Sequence, residues 1–159
     1  MTEIGFAKRT LGVIAAEHHE LERRAKRLSK VARTPFNDQS LPLLFSELRR
    51  EMSELSDLLQ KHLDCEAAGG YLEEAVARVP ALAHRADAIE SDHPVLVLEM
   101  SGLVEAIKNA TPTAAEWRSI SRALESLTAK LLAHERAENQ ILQRGFNEDP
   151  ALFDNGDTS

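Results

Sequence analysis

The sequence predicts an all-α fold, an antiparallel up-down-up-down four-helix bundle. Three observations carry that expectation. Four stretches repeat apolar residues at alternating steps of three and four, which is the spacing of one helix face. No segment alternates apolar and polar residues as a half-buried strand would. Alanine, leucine and glutamate are abundant while aromatics make up only 4% of the chain, a balance that favours helices. At 159 residues the chain can bury one proper core and is too short for two.

The first helix is expected over about residues 4–33, on the seam Ile4, Ala7, Leu11, Ile14, His18, Leu21, Ala25, Leu28 and Ala32. TPFNDQSLP, residues 34–42, gathers two prolines with turn-forming residues and reads as a connector. Pro42 suits the first turn of a second helix continuing to about Ala77. Its seam is Phe45, Leu48, Met52, Leu55, Leu59, His62, Glu66 and Gly69. Gly69 and Gly70 each cost a helix ~1 kcal/mol relative to alanine, so they mark either a local break or room beside Glu66.

After a turn at Val79-Pro80, a third helix is expected from about Ala81 to Lys108. It carries Leu82, Ala86, Ile89, His93, Leu96, Met100, Leu103 and Ile107, with Pro94 predicted to kink it. Residues 109–112 form the next connector. Thr113 with Glu116 makes a capping-box start for a fourth helix that reaches about Arg144 and stops at Gly145. Its seam is Trp117, Ile120, Leu124, Leu127, Leu131, His134, Glu138 and Ile141. Residues 1–145 are thus expected as one helical domain, and 146–159 as a polar, acidic tail, extended or partly disordered.

Each seam holds one histidine, and two of them add a glutamate one turn later: His62 with Glu66, and His134 with Glu138. Ionisable groups therefore occupy positions that their neighbours mark as core, where a lone carboxylate costs of order several kcal/mol. The helix lengths on either side of the histidines are similar, which brings all four to one level of the bundle. The pattern repeats: His18 then His62-x-x-x-Glu66, and His93 then His134-x-x-x-Glu138, so a pseudo-two-fold axis is expected through the centre.

A metal site in the core would compensate all these groups together. Four imidazoles and two carboxylates exceed the tetrahedron of one zinc ion. They suit two six-coordinate first-row ions bridged by the glutamates and an oxo or hydroxo group, with about one open position per metal. Iron is the first choice and manganese the second.

The segments EHHEL (17–21), HLDCE (62–66), ESDHPVL (90–96) and HERAE (134–138) resemble the hemerythrin-like family in its histidine-histidine-glutamate cation-binding branch. The resemblance covers about residues 10–145. It implies a four-helix bundle around a non-haem di-iron centre, with His18, His62, Glu66, His93, His134 and Glu138 as metal ligands. Oxygen-carrying members of the family have a further histidine where this chain has Val97, and an aspartate where it has Asn139. Fewer protein ligands imply a more open centre, which favours redox reactivity, sensing or iron handling over reversible oxygen carriage.

The remaining features set bounds. A net charge of −7, with no long basic run, argues against nucleic acid. No apolar leader and no membrane-spanning run is present, and the single cysteine fits a reducing compartment, so a soluble cytoplasmic protein is expected. Cys65 is expected as a small packing residue, Glu135 as surface charge, His19 and His84 as surface residues, and Tyr71 as a candidate neighbour of the site. The function expected is binding of, or reaction with, dioxygen, peroxide or nitric oxide at an open di-iron centre. Iron handling without turnover, an oxygen carrier or sensor, and a plain interaction bundle are the alternatives.

Overall fold

The computed structural model describes the backbone of residues 3–146 and the side chains of residues 11–146. The side chains of Ile4 and Ala7, and residues 147–159 of the tail expected over 146–159, lie outside the described residues. The fold is all-α: α1 (Glu3–Ala32), α2 (Leu41–Gly69), α3 (Tyr71–Arg78), a 3-10 turn (Pro80–Leu82), α4 (Ala83–Asn109) and α5 (Ala114–Phe146). The long helices α1 and α4 each pack against both α2 and α5, and the short α3 lies on α5. Among the described residues, no helix is long and apolar enough to cross a membrane.

The helix count differs from expectation at the glycine pair. The second helix does not continue to Ala77; it ends at Gly69, and Gly70 adopts a left-handed φ of 64°. Its N–H donates to the Glu66 carbonyl at 3.1 Å, closing the last turn before α3 sets off. Glycine reaches that φ without the steric penalty a Cβ carries. The change of direction lets Leu72 and Ala75 join an apolar cluster with Ile141, Leu142 and Phe146 of α5.

Gly145 does not terminate the last helix, which runs on to Phe146. The glycine serves close approach instead. A Cβ there would stand 2.5 Å from the Ala75 Cβ and 2.8 Å from its Cα, so α3 and α5 could not keep their contact. At the start of α5 half of the capping box forms: the Glu116 N–H donates to the Thr113 hydroxyl at 3.3 Å. The Glu116 carboxylate instead accepts from the Thr111 hydroxyl at 2.6 Å. Helix α4 runs through Pro94 without ending, although the proline supplies no N–H to the turn before it.

The apolar seam residues from Leu11 to Ile141 are buried, whereas Gly69, the last position of its seam, is exposed. They form two clusters rather than one. The larger runs from Leu21 through Phe45, Met52 and Met100 to Trp117 and Leu131. The smaller comprises Leu11, Ile14, Leu72, Ile89 and the end of α5. On α1, α4 and α5 the histidine stands in sequence between residues of the two clusters, and on α2 His62 stands near the end of the larger one.

Two glycine substitutions should separate close approach from simple helix propensity. Gly145→Ala should destabilise by about 1–3 kcal/mol through overpacking against Ala75. Gly102→Ala, on an exposed turn of α4 with nothing within 4 Å of the new Cβ, should stabilise by about 0.5–1 kcal/mol. Chemical unfolding of both variants measures the contrast, and equal effects of one sign would contradict the packing argument.

Candidate metal site

The four seam histidines meet in two pairs. His18 of α1 and His62 of α2 place their Nε2 atoms 3.0 Å apart, with ring centroids at 4.7 Å and planes at 78°. His93 of α4 and His134 of α5 repeat this at 3.1 Å, 4.8 Å and 68°. Two donors bound ~2.1 Å from a shared ion, at right angles to one another, stand ~3.0 Å apart. Both pairs have that separation.

The glutamates connect the pairs. Glu66 sets Oε1 2.6 Å from the His62 Nε2 and 3.4 Å from that of His18, while Oε2 reaches 3.6 Å from the His93 Nε2. Glu138 sets Oε1 3.3 Å from His18 and Oε2 3.4 Å from His134. Each carboxylate thus touches both pairs, as a bridging carboxylate would. Ligand atoms of His18, His62, Glu66 and Glu138 lie within 4.8 Å of one another, as do those of His93, His134 and Glu138. All six residues expected from the sequence are brought together. All are buried except His93, whose side chain keeps 20% exposure.

The outer nitrogens are held unequally. The His62 Nδ1 meets the Glu17 carboxylate at 2.6 Å, and the His18 Nδ1 meets the Asn139 side-chain oxygen. Such partners fix the ring orientation and leave Nε2 facing inward. In the second pair, the nearest acid to the His134 Nδ1 is Asp92 at 3.8 Å, and that nitrogen makes no hydrogen bond.

One residue departs from the sequence-based expectation in a way that changes the site. Glu135 is not surface charge: it is 2% exposed, and its Oε2 lies 3.3 Å from the His18 Nε2. The sequence carried little signal for it: Thr128 and Ser121, one and two heptads before it, are polar, and the burial of Thr128, Glu135 and Leu142 at seven-residue spacing shows only in the fold. Glu17 and Asn139 were also missed as contacts; neither sits on a seam. Cys65, expected in packing, is exposed in a shallow groove with Lys61 and Asp64. His19 is half-buried and outside the cluster, with its Nε2 unpartnered, and His84 is exposed.

The ionisable groups of the site perturb one another strongly. Burial pulls His18 down, but Glu135, Glu138 and Glu66 outweigh it and hold the ring well above its ordinary range. Burial is likewise outweighed at His62, which Glu66 raises to about 9. A 3.0 Å Nε2–Nε2 contact accommodates one bridging proton, so these two rings share a cation rather than carry one each. In the second pair burial and His134 lower His93, whereas Glu138 overcomes burial to raise His134, so His134 is the donor. Burial pushes the Glu135 carboxyl up to about 7 despite the pull of His18. Burial acts the same way on Glu138, yet its neighbours Glu66, His134 and His18 hold it well below the usual range.

Even so, Glu66 Oε2, Glu138 Oε2 and both oxygens of Glu135 make no hydrogen bond. Buried acceptors left without donors are costly. Oxygen acceptors and imidazole nitrogens converging on two adjacent points are the donor set that divalent first-row cations take. The residues fit metal ions.

Two outcomes follow for solution measurements. Chelation should lower the unfolding midpoint, by several kcal/mol of stability, because uncompensated ionisable groups then face one another in the core; identical midpoints with and without confirmed metal would contradict this. Ligation needs neutral imidazoles, and one proton in each pair must leave. Metal uptake at pH 7 should therefore release protons into a weakly buffered indicator solution, and apparent affinity should rise with pH above 7, because the proton shared by His18 and His62 is held above the ordinary imidazole range.

The family model described as the hemerythrin HHE cation binding domain matches residues 9–148. Neither a curated protein nor a solved structure matches the chain. The match spans all four histidine-bearing helices through both HxxxE pairs, and the chain belongs to the hemerythrin HHE cation-binding domain family.

Proposed function

We propose that this protein is a non-haem di-iron protein whose dinuclear centre binds or reacts with dioxygen, peroxide or nitric oxide. The observation that carries the reading is the pair of imidazole pairs joined by Glu66 and Glu138, each carboxylate reaching both sides. The four long helices are read as an antiparallel up-down-up-down bundle with this centre in its core. The ligands are His18, His62 and their counterparts His93 and His134, bridged by Glu66 and Glu138. Nitrogen and oxygen donors without thiolate suit iron, with manganese second.

When bound, iron would supply a redox couple and an open coordination position for a small oxygen- or nitrogen-containing ligand. The chain's own residues do the rest. Glu17 and Asn139 orient His62 and His18 through their outer nitrogens. The apolar clusters on either side exclude bulk water from the ligand level. A cleft of about 270 Å³ reaches Glu66, Glu138 and the exposed edge of His93, and Tyr71 and Leu63 line it. Its size fits diatomic and triatomic ligands.

Tyr71 borders the site as a gate in this reading. Its ring lies across Gly69, where any Cβ would collide with it. The exposure of Gly69 means that this glycine admits the tyrosine ring rather than lining the centre itself. A second reading, iron handling without turnover, is favoured by the third buried carboxylate, Glu135, which makes the site rich in acceptors.

Protein loaded anaerobically with ferrous ion should hold about two irons per chain. Oxidation should then give near-ultraviolet oxo-to-iron charge transfer without haem bands. Azide or nitric oxide should perturb that spectrum, and Tyr71→Ala should speed azide binding several-fold at unchanged iron content. A loaded centre untouched by azide, nitric oxide and peroxide would support the iron-handling reading instead. One tightly held zinc and refusal of iron would overturn both.

A further inference from the structure

The internal two-fold repeat pairs α1 with α4 and α2 with α5, so every residue near the site has a counterpart. Glu138 answers to Glu66, and His134 answers to His62. One step after these histidines the repeat breaks. Glu135 follows His134, but Leu63 follows His62. Glu135 contacts a residue of the other half of the chain, and Leu63 shares a cleft with one. Glu135 reaches His18 of α1 at 3.3 Å, while Leu63 lines the cleft with His93 of α4. The repeat breaks again one residue after the glutamates: Asn139 partners His18, where Ala67 borders the cleft beside His93.

Around the His18 Nε2 stand four atoms from four residues. These are His62 Nε2 at 3.0 Å, Glu135 Oε2 and Glu138 Oε1 both at 3.3 Å, and Glu66 Oε1 at 3.4 Å. In an octahedron every vertex has four adjacent vertices, and with bonds of ~2.1–2.3 Å those edges measure ~3.0–3.3 Å. Glu135 is 2% exposed, and neither of its oxygens has a hydrogen-bond donor. It is not among the four groups whose ligand atoms all lie within 4.8 Å of one another, so its carboxylate has to turn inward from its contact with His18 to join the set.

We propose that Glu135 is a seventh protein ligand, belonging to the His18–His62 metal position alone. The two positions are then chemically unequal. The first has five protein donors, from His18, His62, Glu66, Glu135 and Glu138. The second has four, from His93, His134, Glu66 and Glu138, and it alone faces the cleft past Leu63 and Ala67. Exogenous ligands bind at the second position, and the first acts as a retained, structural ion.

This inference rests on the dinuclear reading above, and the test separates the two. Apoprotein titrated with Co²⁺ reports each ion by its visible absorption, which distinguishes five- and six-coordinate from four-coordinate cobalt without any turnover. Wild type should take up two ions in resolved steps, the first at least 10-fold tighter. Glu135→Gln should weaken the first step 10- to 100-fold and leave the second within about two-fold. Leu63→Glu, the symmetric replacement, should tighten the second step and lower azide affinity at the cobalt-loaded centre, whatever the effect of Glu135→Gln on folding. Far-ultraviolet circular dichroism of each apo variant controls for the fold.

Wild type binding fewer than two ions would overturn the dinuclear reading and this inference with it. Two ions in wild type, with Glu135→Gln weakening neither step or both steps equally, would overturn only the assignment of Glu135.

Discussion

The structure depends on one constraint: a layer of ionisable side chains is buried between two apolar clusters. His18, His62, His134, Glu66, Glu135 and Glu138 are all under 9% exposed, and His93 closes the layer from the side of the cleft. Burying one such group without a partner costs several kcal/mol, and here seven share one level. Mutual ion pairing offsets part of that cost. The carboxylate oxygens that remain without donors show that it does not offset all of it. Cation binding, the property that names the family to which the chain belongs, would supply the positive charge that completes the balance.

Symmetry explains how such a layer is assembled economically. Each half of the chain brings one HxxxE pair and one further histidine, and each of those histidines follows an acid: Glu17 before His18, Asp92 before His93. Both acids lie towards the outer nitrogen of the paired histidine, at 2.6 Å for His62 and 3.8 Å for His134. The halves are therefore built on one plan and finished differently. The α1–α2 side is tightly hydrogen-bonded and closed. The α4–α5 side is looser and meets the cleft, which Tyr71 of α3 helps to line.

That cleft exists because the second helix breaks. A continuous helix through Gly70 would carry residues 71–78 along the axis of α2. The left-handed glycine redirects them so that Ala75 meets Gly145 and Leu72 joins the end of α5. The long helices are further tied at their surfaces. Arg27 of α1 reaches the buried Glu51 of α2 at 3.0 Å, and Arg49 of α2 donates to the Ile107 and Ala110 carbonyls at the end of α4.

The sequence by itself determined the helical class, the seams and the six groups that converge. These are properties of spacing: a 3–4 step places residues on one face wherever the helix lies, and a charged residue on an apolar face must have a partner. Tertiary structure decided the rest. Glu135 lies one residue off its seam, so its burial depends on the angle at which α1 packs against α5. Glu17 and Asn139 act across helix pairs, and no local pattern marks them. The Gly69–Gly70 pair allowed both a break and an open space. The choice fell to α3 packing on α5, because only the break lets Leu72 and Ala75 bury their side chains there.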